Sequence, residues 1–579
     1  MNEMRASKLI MTFGPGSIVD LPDRESYIVM GPDFWKSHEV IHEDRLANKL
    51  NIDHFGSPQK KWERGSKFPF GIAVRDFPFK RVCPECGKLS YDFYCKDCKK
   101  SGESKGPKTM PPRLVAACKD GHIQDFPWRW WCGCTCKFKD SRLFLLGESV
   151  DSDGSDLKVV CKNCSEEKNL TGALGDLKIE CNGERPWLGD KETCLNNLYG
   201  LMRGASNVFF PVIESSLSIP PYSTVIHKDI EKHTAAARTN WTNNNIKGYI
   251  GNNDELKKYI KDGKYTEDEL VRAFNEKFGI TTSINIKGEE WDRLIHDVKY
   301  RPNEDFQTRK IDIKGSHLEK WFDRIVQVTR LREVVTITGF TRIEPPDAGT
   351  KKQELRMEKW VEFLDSHPDI SPNLDGESAR NWLPGVELFG EGIFFKFKES
   401  ITNRWNEDLV NNKRCKDILL QPKKPFNREG ADMTDNRLIL VHTFAHQFIR
   451  QISLSCGYSM ASLRERLYVQ KSNERDMCGV LIYTASSDSE GTLGGLVAQA
   501  KDSNTLYNHI QTMIESIRTC SQDPLCGAHE PNETKNSWGA SCHSCSQLPE
   551  TSCEGLQNKL LDRFTLINNG DLKGYFDAH

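Results

Sequence analysis

The sequence predicts a mixed α/β fold of several domains, and three observations lead there. Twenty cysteines gather towards the two ends: twelve lie between Cys83 and Cys194, none from there to Cys415, and five between Cys520 and Cys553. Between those clusters, segments such as 254–260 and 267–274 repeat apolar residues at intervals of three and four, the period of a helix. Past residue 425, an amphipathic pattern with Leu438, Val441, Ala445, Phe448 and Ile452 on one face precedes a short apolar run at 480–484, a glycine-rich turn and a further helical pattern.

At 579 residues the chain exceeds what one hydrophobic core organises. Residues 1–80 mix Gly-Pro turns with short alternating runs such as 26–30, and are expected to form a mixed, strand-bearing segment. A cysteine-rich ribbon region is expected over 81–204 and a predominantly helical middle over 205–424, punctuated at 343–349 and 421–425. An α/β domain closes the chain over 425–579.

No run approaches the roughly 20 apolar residues that a membrane-spanning helix needs. Met1-Asn2-Glu3-Met4-Arg5 is not followed by the apolar core of a signal peptide. The expectation is a cytosolic protein. Its formal charge of -2 gives no overall attraction to nucleic acid, so any DNA contact is expected to be local or shared with a partner.

In such a chain paired cysteines read as zinc ligands. Cys83, Cys86, Cys95 and Cys98 form two CxxC pairs eight residues apart, each able to set two thiolates on one tight turn. Cys118 and His122 are assigned with Cys132 and Cys136, leaving Cys134 spare among three closely spaced thiols. Cys161, Cys164, Cys181 and Cys194 make a third set. Cys520, Cys526, Cys542 and Cys545 make a fourth, which Cys553 or His543 can enter in place of one member. Three to four zinc ions are expected, and four protein ligands per ion mark a structural site.

Motifs for catalysis are weaker. The chain has no GxxxxGK[ST] loop; the nearest match, over 102–109, is broken by Pro107. His442 and His446 stand one helical turn apart, but Thr443 occupies the place of a zinc protease's glutamate, so they read as packing or hydrogen-bonding side chains. Ile226-His227-Lys228-Asp229 lacks the residue a phospholipase-D-type nuclease needs between histidine and lysine. The turn holding Asp488, Glu490, Gly491, Gly494 and Gly495 follows a strand pattern and precedes a helix pattern, where amides can bind phosphate. The two acids there favour metal binding or capping instead. A metal-dependent nuclease centred on Asp488 and Glu490, with His442 and His446, is the rival reading of function.

Residues 80–113 carry a local excess of five positive charges, including Lys96, Lys99, Lys100, Lys105, Lys108 and Arg113, interleaved with Tyr91, Phe93 and Tyr94. Such a face suits phosphate contact and base stacking, or is simply solvated lysine.

Several longer strings resemble the B component of the DISARM bacterial anti-phage system. They are Thr12-Phe13-Gly14-Pro15-Gly16, Cys118-Lys-Asp-Gly-His122 and its continuation to Trp128, Arg203-Gly204-Ala205-Ser206-Asn207-Val208, and Leu217-Ser218-Ile219-Pro220-Pro221. The C-terminal ones are Asp488-Ser-Glu-Gly491-Thr-Leu-Gly494-Gly495-Leu, Cys542-His543-Ser544-Cys545, Glu550-Thr-Ser-Cys553 and Leu561-Asp562-Arg563. The C-terminal domain is similar to the cysteine-rich, zinc-holding domain found behind the motor of superfamily 2 DNA helicases. The resemblance implies a non-ATPase accessory subunit whose helicase partner supplies the ATPase, the two forming a heterodimer on DNA. It also implies restriction of phage DNA alongside a methyltransferase that marks self. The chain departs from the family's expected histidine-and-cysteine arrangement at Cys132, Cys134 and Cys136.

Overall fold

A computed structural model of the chain describes residues 8, 10, 12–21, 25–35, 38–58, 72–137, 142–147, 157–220, 225–230, 233, 243–278, 285–296, 305–346, 352–355, 382–409, 412–420, 432, 434–472, 475–485, 494–528, 539–569 and 572–577. These fall into two compact units, each gathered from separated stretches. The first comprises Met1–Ile41, Phe55–Glu214 and Thr336–Val386, the second His42–His54, Ser215–Val335 and Glu387–His579. The composition boundaries near 80, 204 and 424 follow the chain; the compact units do not.

In the second unit the apolar run at 480–484 ends the strand Asp476–Thr484, whose interior is buried on both faces, as a continuous rather than alternating apolar pattern demands. It pairs antiparallel with Leu463–Lys471 on one side, Leu463 opposite Thr484 and Lys471 opposite Asp476. On the other side lies Trp382–Phe397, Gly392 opposite Tyr483 and Lys396 opposite Gly479. Because side chains alternate across a strand, the three strands feed two cores. Cys478, Val480, Ile482, Leu467, Val469, Phe395 and Phe397 join one. Met477, Leu481, Tyr483, Tyr468 and Phe394 join the other.

The first core is roofed by the helix Arg437–Cys456, which carries the expected apolar face and ends at Gly457 in the left-handed region (φ 75°). The opposite face of that helix is buried as well, so the helix is covered all round from Arg437 to Ile449. The helix Ser503–Ser516 packs beside it through Leu506, Ile510 and Met513, with Asp502 capping its start by accepting from the Thr505 amide.

The second core contains an ionic centre. Glu290, on the helix Ile286–Ile295, accepts two bonds from the fully buried Arg466 guanidinium at 2.6 and 2.8 Å, one from Tyr468 at 3.0 Å, and one from the Leu217 amide at 3.0 Å. Burial alone would raise the Glu290 carboxyl, but Arg466 and Arg45 hold it below its ordinary value.

The stretch expected to be predominantly helical does hold the helices Asn243–Asn252, Asp254–Lys261 and Glu267–Phe278, packed through Ile246, Ile250, Leu256, Leu270 and Phe274. It also supplies the two longest strands among the described residues, Phe322–Thr341 and Trp382–Phe397, which the helical pattern did not announce. Val, Ile, Thr and Phe dominate 333–341, a β-prone run that the charged helical segments upstream overshadowed.

The first unit is built from short strands. Glu25–Val29 pairs with Ile18–Leu21 and Val74–Asp76. A four-stranded antiparallel sheet runs in the order Gly175–Glu180, Asn197–Met202, Leu114–Ala117, Ile123–Asp125. A separate sheet joins Leu143–Leu146, Lys158–Cys161 and Glu167–Asn169.

Glu290→Ala is expected to cost about 3–5 kcal/mol in urea unfolding, because the buried Arg466 loses both of its short carboxylate bonds and keeps only the more distant Glu333 and Glu554, at 3.8 and 3.7 Å. Replacing both residues by methionine is expected to recover most of that loss.

Candidate metal centres

The cysteines meet where turns and strand ends bring them. Cys83 follows the strand Arg81–Val82, and the chain reverses through Gly87 at φ +73°, where an added Cβ would stand 2.2 Å from the Leu145 carbonyl oxygen. The turn sets Cys83 Sγ 3.8 Å from Cys98 and Cys86 Sγ 3.8 Å from Cys95. A disulfide would hold its sulfurs about 2.05 Å apart. A tetrahedral zinc with sulfur at about 2.3 Å sets them roughly 3.8 Å apart, so the spacing fits the ion and not a bond. Arg81, buried, ties the knuckle down by donating to Thr109 Oγ1 at 3.1 Å and its carbonyl at 3.0 Å.

The next two groups differ from the expected partition. Cys118 directly follows the strand Leu114–Ala117 of the four-stranded sheet and His122 directly precedes the neighbouring Ile123–Asp125, the chain turning through Gly121 at φ +89°. Cys181 follows Gly175–Glu180 in the same sheet and Cys194 precedes Asn197–Met202, so strand order brings Cys118, His122, Cys181 and Cys194 together. Cys118 Sγ lies 3.3 Å from His122 Nδ1 and 3.8 Å from Cys194. His122 Nε2 meets Glu192 at 2.6 Å, and Glu192 is held in turn by Arg185 at 2.8 Å, the carboxylate support that orients a ligating histidine.

Cys134 and Cys136 instead join Cys161 and Cys164, with Cys161 3.4 Å from Cys134 and 3.9 Å from Cys136, and Cys164 3.7 Å from Cys134. Cys132, expected as a ligand, stands apart, while Cys134, expected to be spare, is in the group. Cys132 follows the short helix Trp128–Trp131 and donates its thiol to the Glu166 carbonyl at 3.1 Å. Burial pushes that thiol up to about 11, so it stays neutral. Proximity along the chain favoured the other partition; strand pairing decides it.

Cys520, Cys526, Cys542 and Cys545 come together as expected, Cys520 3.5 Å from Cys542 and Cys526 3.6 Å from Cys545. Arg563 donates to Cys526 and Cys545 at 3.3 and 3.5 Å. His543 lies outside the group. Cys553 does too, and turns towards His442, a grouping that the sequence reading missed although the one-turn histidine spacing signalled it. The Cys181 thiol, donating, holds Cys118 down at about 4, and Cys526 does the same for Cys545.

Among the expected nucleic-acid contacts, Lys96 pairs with Asp92 at 2.8 Å and Lys108 with Glu25 at 2.7 Å. Lys105 lies 4.5 Å over the Tyr94 ring. Lys99, Lys100 and Arg113 are exposed and have no ionic partner among the described residues. Asp488, Glu490 and Gly491 lie outside the described residues. Gly494 and Gly495 open the helix Gly495–Ala498, and the amides of Gly494 and Leu496 donate to the Glu391 carboxylate, so an anion from the chain itself holds that helix start. His442 and His446 are wholly buried.

Comparison with known proteins adds three findings. Residues 5–210 match a family described as a domain of unknown function, DUF8724, which spans the first three cysteine groups. Residues 444–546 match the MrfA Zn-binding domain, which contains all four ligands of the C-terminal group. The DISARM protein DrmB of Bacillus paralicheniformis is 30% identical over 583 residues, covering 95% of this chain and 98% of that protein. Among the described residues no helix is long and apolar enough to cross a membrane.

The repartition separates two neighbouring cysteines. Cys134→Ser is expected to lower the zinc content of the purified chain by one equivalent by elemental analysis, and Cys132→Ser to leave it unchanged.

Proposed function

The chain belongs to the family of the DISARM protein DrmB, and from that premise we propose that it is the non-ATPase accessory subunit of a bacterial anti-phage complex. In this reading it pairs in the cytosol with a superfamily 2 helicase as a heterodimer and supports that partner's grip on DNA. The observation that carries the reading is the relation to a DISARM protein along nearly the whole chain. The absence of a phosphate-cradling GxxxxGK[ST] loop from the sequence is consistent with ATP being turned over by the partner.

Four zinc ions in the four cysteine-rich groups are structural in this account, since each group offers four protein ligands and leaves no position for a reacting water. DNA would be met locally. Lys99, Lys100 and Arg113 are free to face phosphate, and Tyr91 and Phe93, 58% and 43% exposed, offer rings on which bases stack. Lys96 and Lys108 are less suited, because each already has a carboxylate.

The test is co-purification with the helicase subunit of the same system, followed by DNA-stimulated ATPase with and without this chain at matched salt. A raised DNA affinity or ATPase is expected; failure to bind or alter the helicase would end the reading. In the complex, replacing Lys99, Lys100 and Arg113 by alanine is expected to weaken single-strand binding at low salt. The slope of log affinity against log salt should fall by about 0.7 for each phosphate that is no longer neutralised.

A further inference from the structure

The cysteine that the C-terminal group leaves out belongs to a second constellation. The helix Arg437–Cys456 presents His442 and His446 one turn apart along the flank of its apolar stripe, their ring centroids 4.4 Å apart. Glu465, on the strand Leu463–Lys471, and Cys553, in the C-terminal segment, complete the group. All four side chains are buried, and their donor atoms lie within 4.8 Å of one another. His442 Nε2 is 3.3 Å from Glu465 Oε1 and 3.4 Å from Cys553 Sγ, and His446 Nε2 is 3.7 Å from Glu465 Oε2.

The surroundings fix which atoms point inward. His446 Nδ1 donates to the Ser546 carbonyl at 2.9 Å, and His442 Nδ1 faces the Leu560 carbonyl at 3.4 Å. A carbonyl only accepts, so each Nδ1 carries a proton, and in a neutral ring the Nε2 lone pair then faces the centre, the tautomer of a metal-bound imidazole. The Asn558 amide donates to Cys553 Sγ at 3.5 Å and the Glu554 amide to Glu465 Oε1 at 2.8 Å, which suits a thiolate and a carboxylate. His446 Nε2 and Glu465 Oε2 have no hydrogen-bond partner, although both are fully buried. Orphaned atoms of this kind are costly unless something sits between them.

We propose that His442, His446, Glu465 and Cys553 bind a further zinc ion, distinct from the four cysteine-rich centres and independent of the helicase reading. Two imidazoles, one carboxylate and one thiolate form a donor set that zinc accepts. Ligands at roughly 2.0–2.3 Å around a tetrahedral ion would stand about 3.3–3.6 Å apart, close to the separations seen. A divalent ion also cancels the two buried negative charges. With four protein ligands and no access to solvent the site is closed, and it ties the long helix, the sheet and the C-terminal segment at one point. His442 and Cys553 fall outside the 444–546 match, so the site is not the one that zinc domain describes. The competing arrangement is a buried imidazolium–carboxylate pair with a neutral thiol.

The test uses the full wild-type chain purified with zinc, read by elemental analysis and by X-ray absorption at the zinc edge. The proposal expects five zinc equivalents, with nitrogen or oxygen as one in five of the ligand atoms around zinc. Four or fewer equivalents, with a share near one in sixteen, would leave the quartet as an ion pair and overturn it. Glu465→Gln is expected to remove one equivalent, and His446→Cys, which restores a ligand, to retain it. A soluble Glu465→Gln chain with all its zinc would likewise contradict the proposal.

Discussion

Attraction between a divalent cation and its sulfur and imidazole ligands is the force on which the cysteine-rich half of the molecule rests. The strands there run from two to six residues, too short to bury much surface, and cysteines are themselves prominent in its core beside Trp128, Trp131, Phe126 and Leu198. Sulfurs held 3.4–3.9 Å apart would repel as thiolates without a positive ion between them. A structural zinc supplies about 10–16 kcal/mol in small domains, comparable with the whole stability of a globular fold. The supporting shell is built for the same end, Glu192 and Arg185 orienting His122.

The second unit has another foundation. Its strands are buried on both faces, and the helix Arg437–Cys456 is enclosed because its two sides do different work. Leu438, Val441, Ala445 and Phe448 close the apolar core. His446, Gln447 and Arg450 hold the backbone of the cysteine-bearing C-terminal segment, Gln447 donating to the Cys545 carbonyl at 3.1 Å and Arg450 to that of Gln547 at 3.3 Å. A zinc-closed segment is thereby fastened to a helix that the sheet already fixes.

Much of this was legible in the sequence, for identifiable reasons. CxxC pairs are local, so Cys83, Cys86, Cys95 and Cys98 needed only turn chemistry to be grouped. The strand at 480–484 announced itself by a short continuous apolar run, and the helix bearing Leu438 and Phe448 by its period. What stayed hidden depends on strand pairing between distant segments. Nothing near Cys118 says that its partners are Cys181 and Cys194, because only the order of the four-stranded sheet sets them side by side. The long strands of the middle were masked by charged helical stretches next to them. Glu465 was unreadable as part of a cluster, since an isolated acid in a strand gains meaning only when the sheet faces it to His442 and His446.

The central claim is that metal holds residues 81–202 together whereas apolar packing holds the sheet of the second unit. Hydrogen exchange on the full chain before and after zinc is stripped by a chelator at constant pH tests it most directly. Amides across 81–202 should lose their protection while those of Asp476–Thr484, which bears no zinc ligand, largely keep theirs. Undiminished protection across 81–202 in the zinc-free chain would contradict the account.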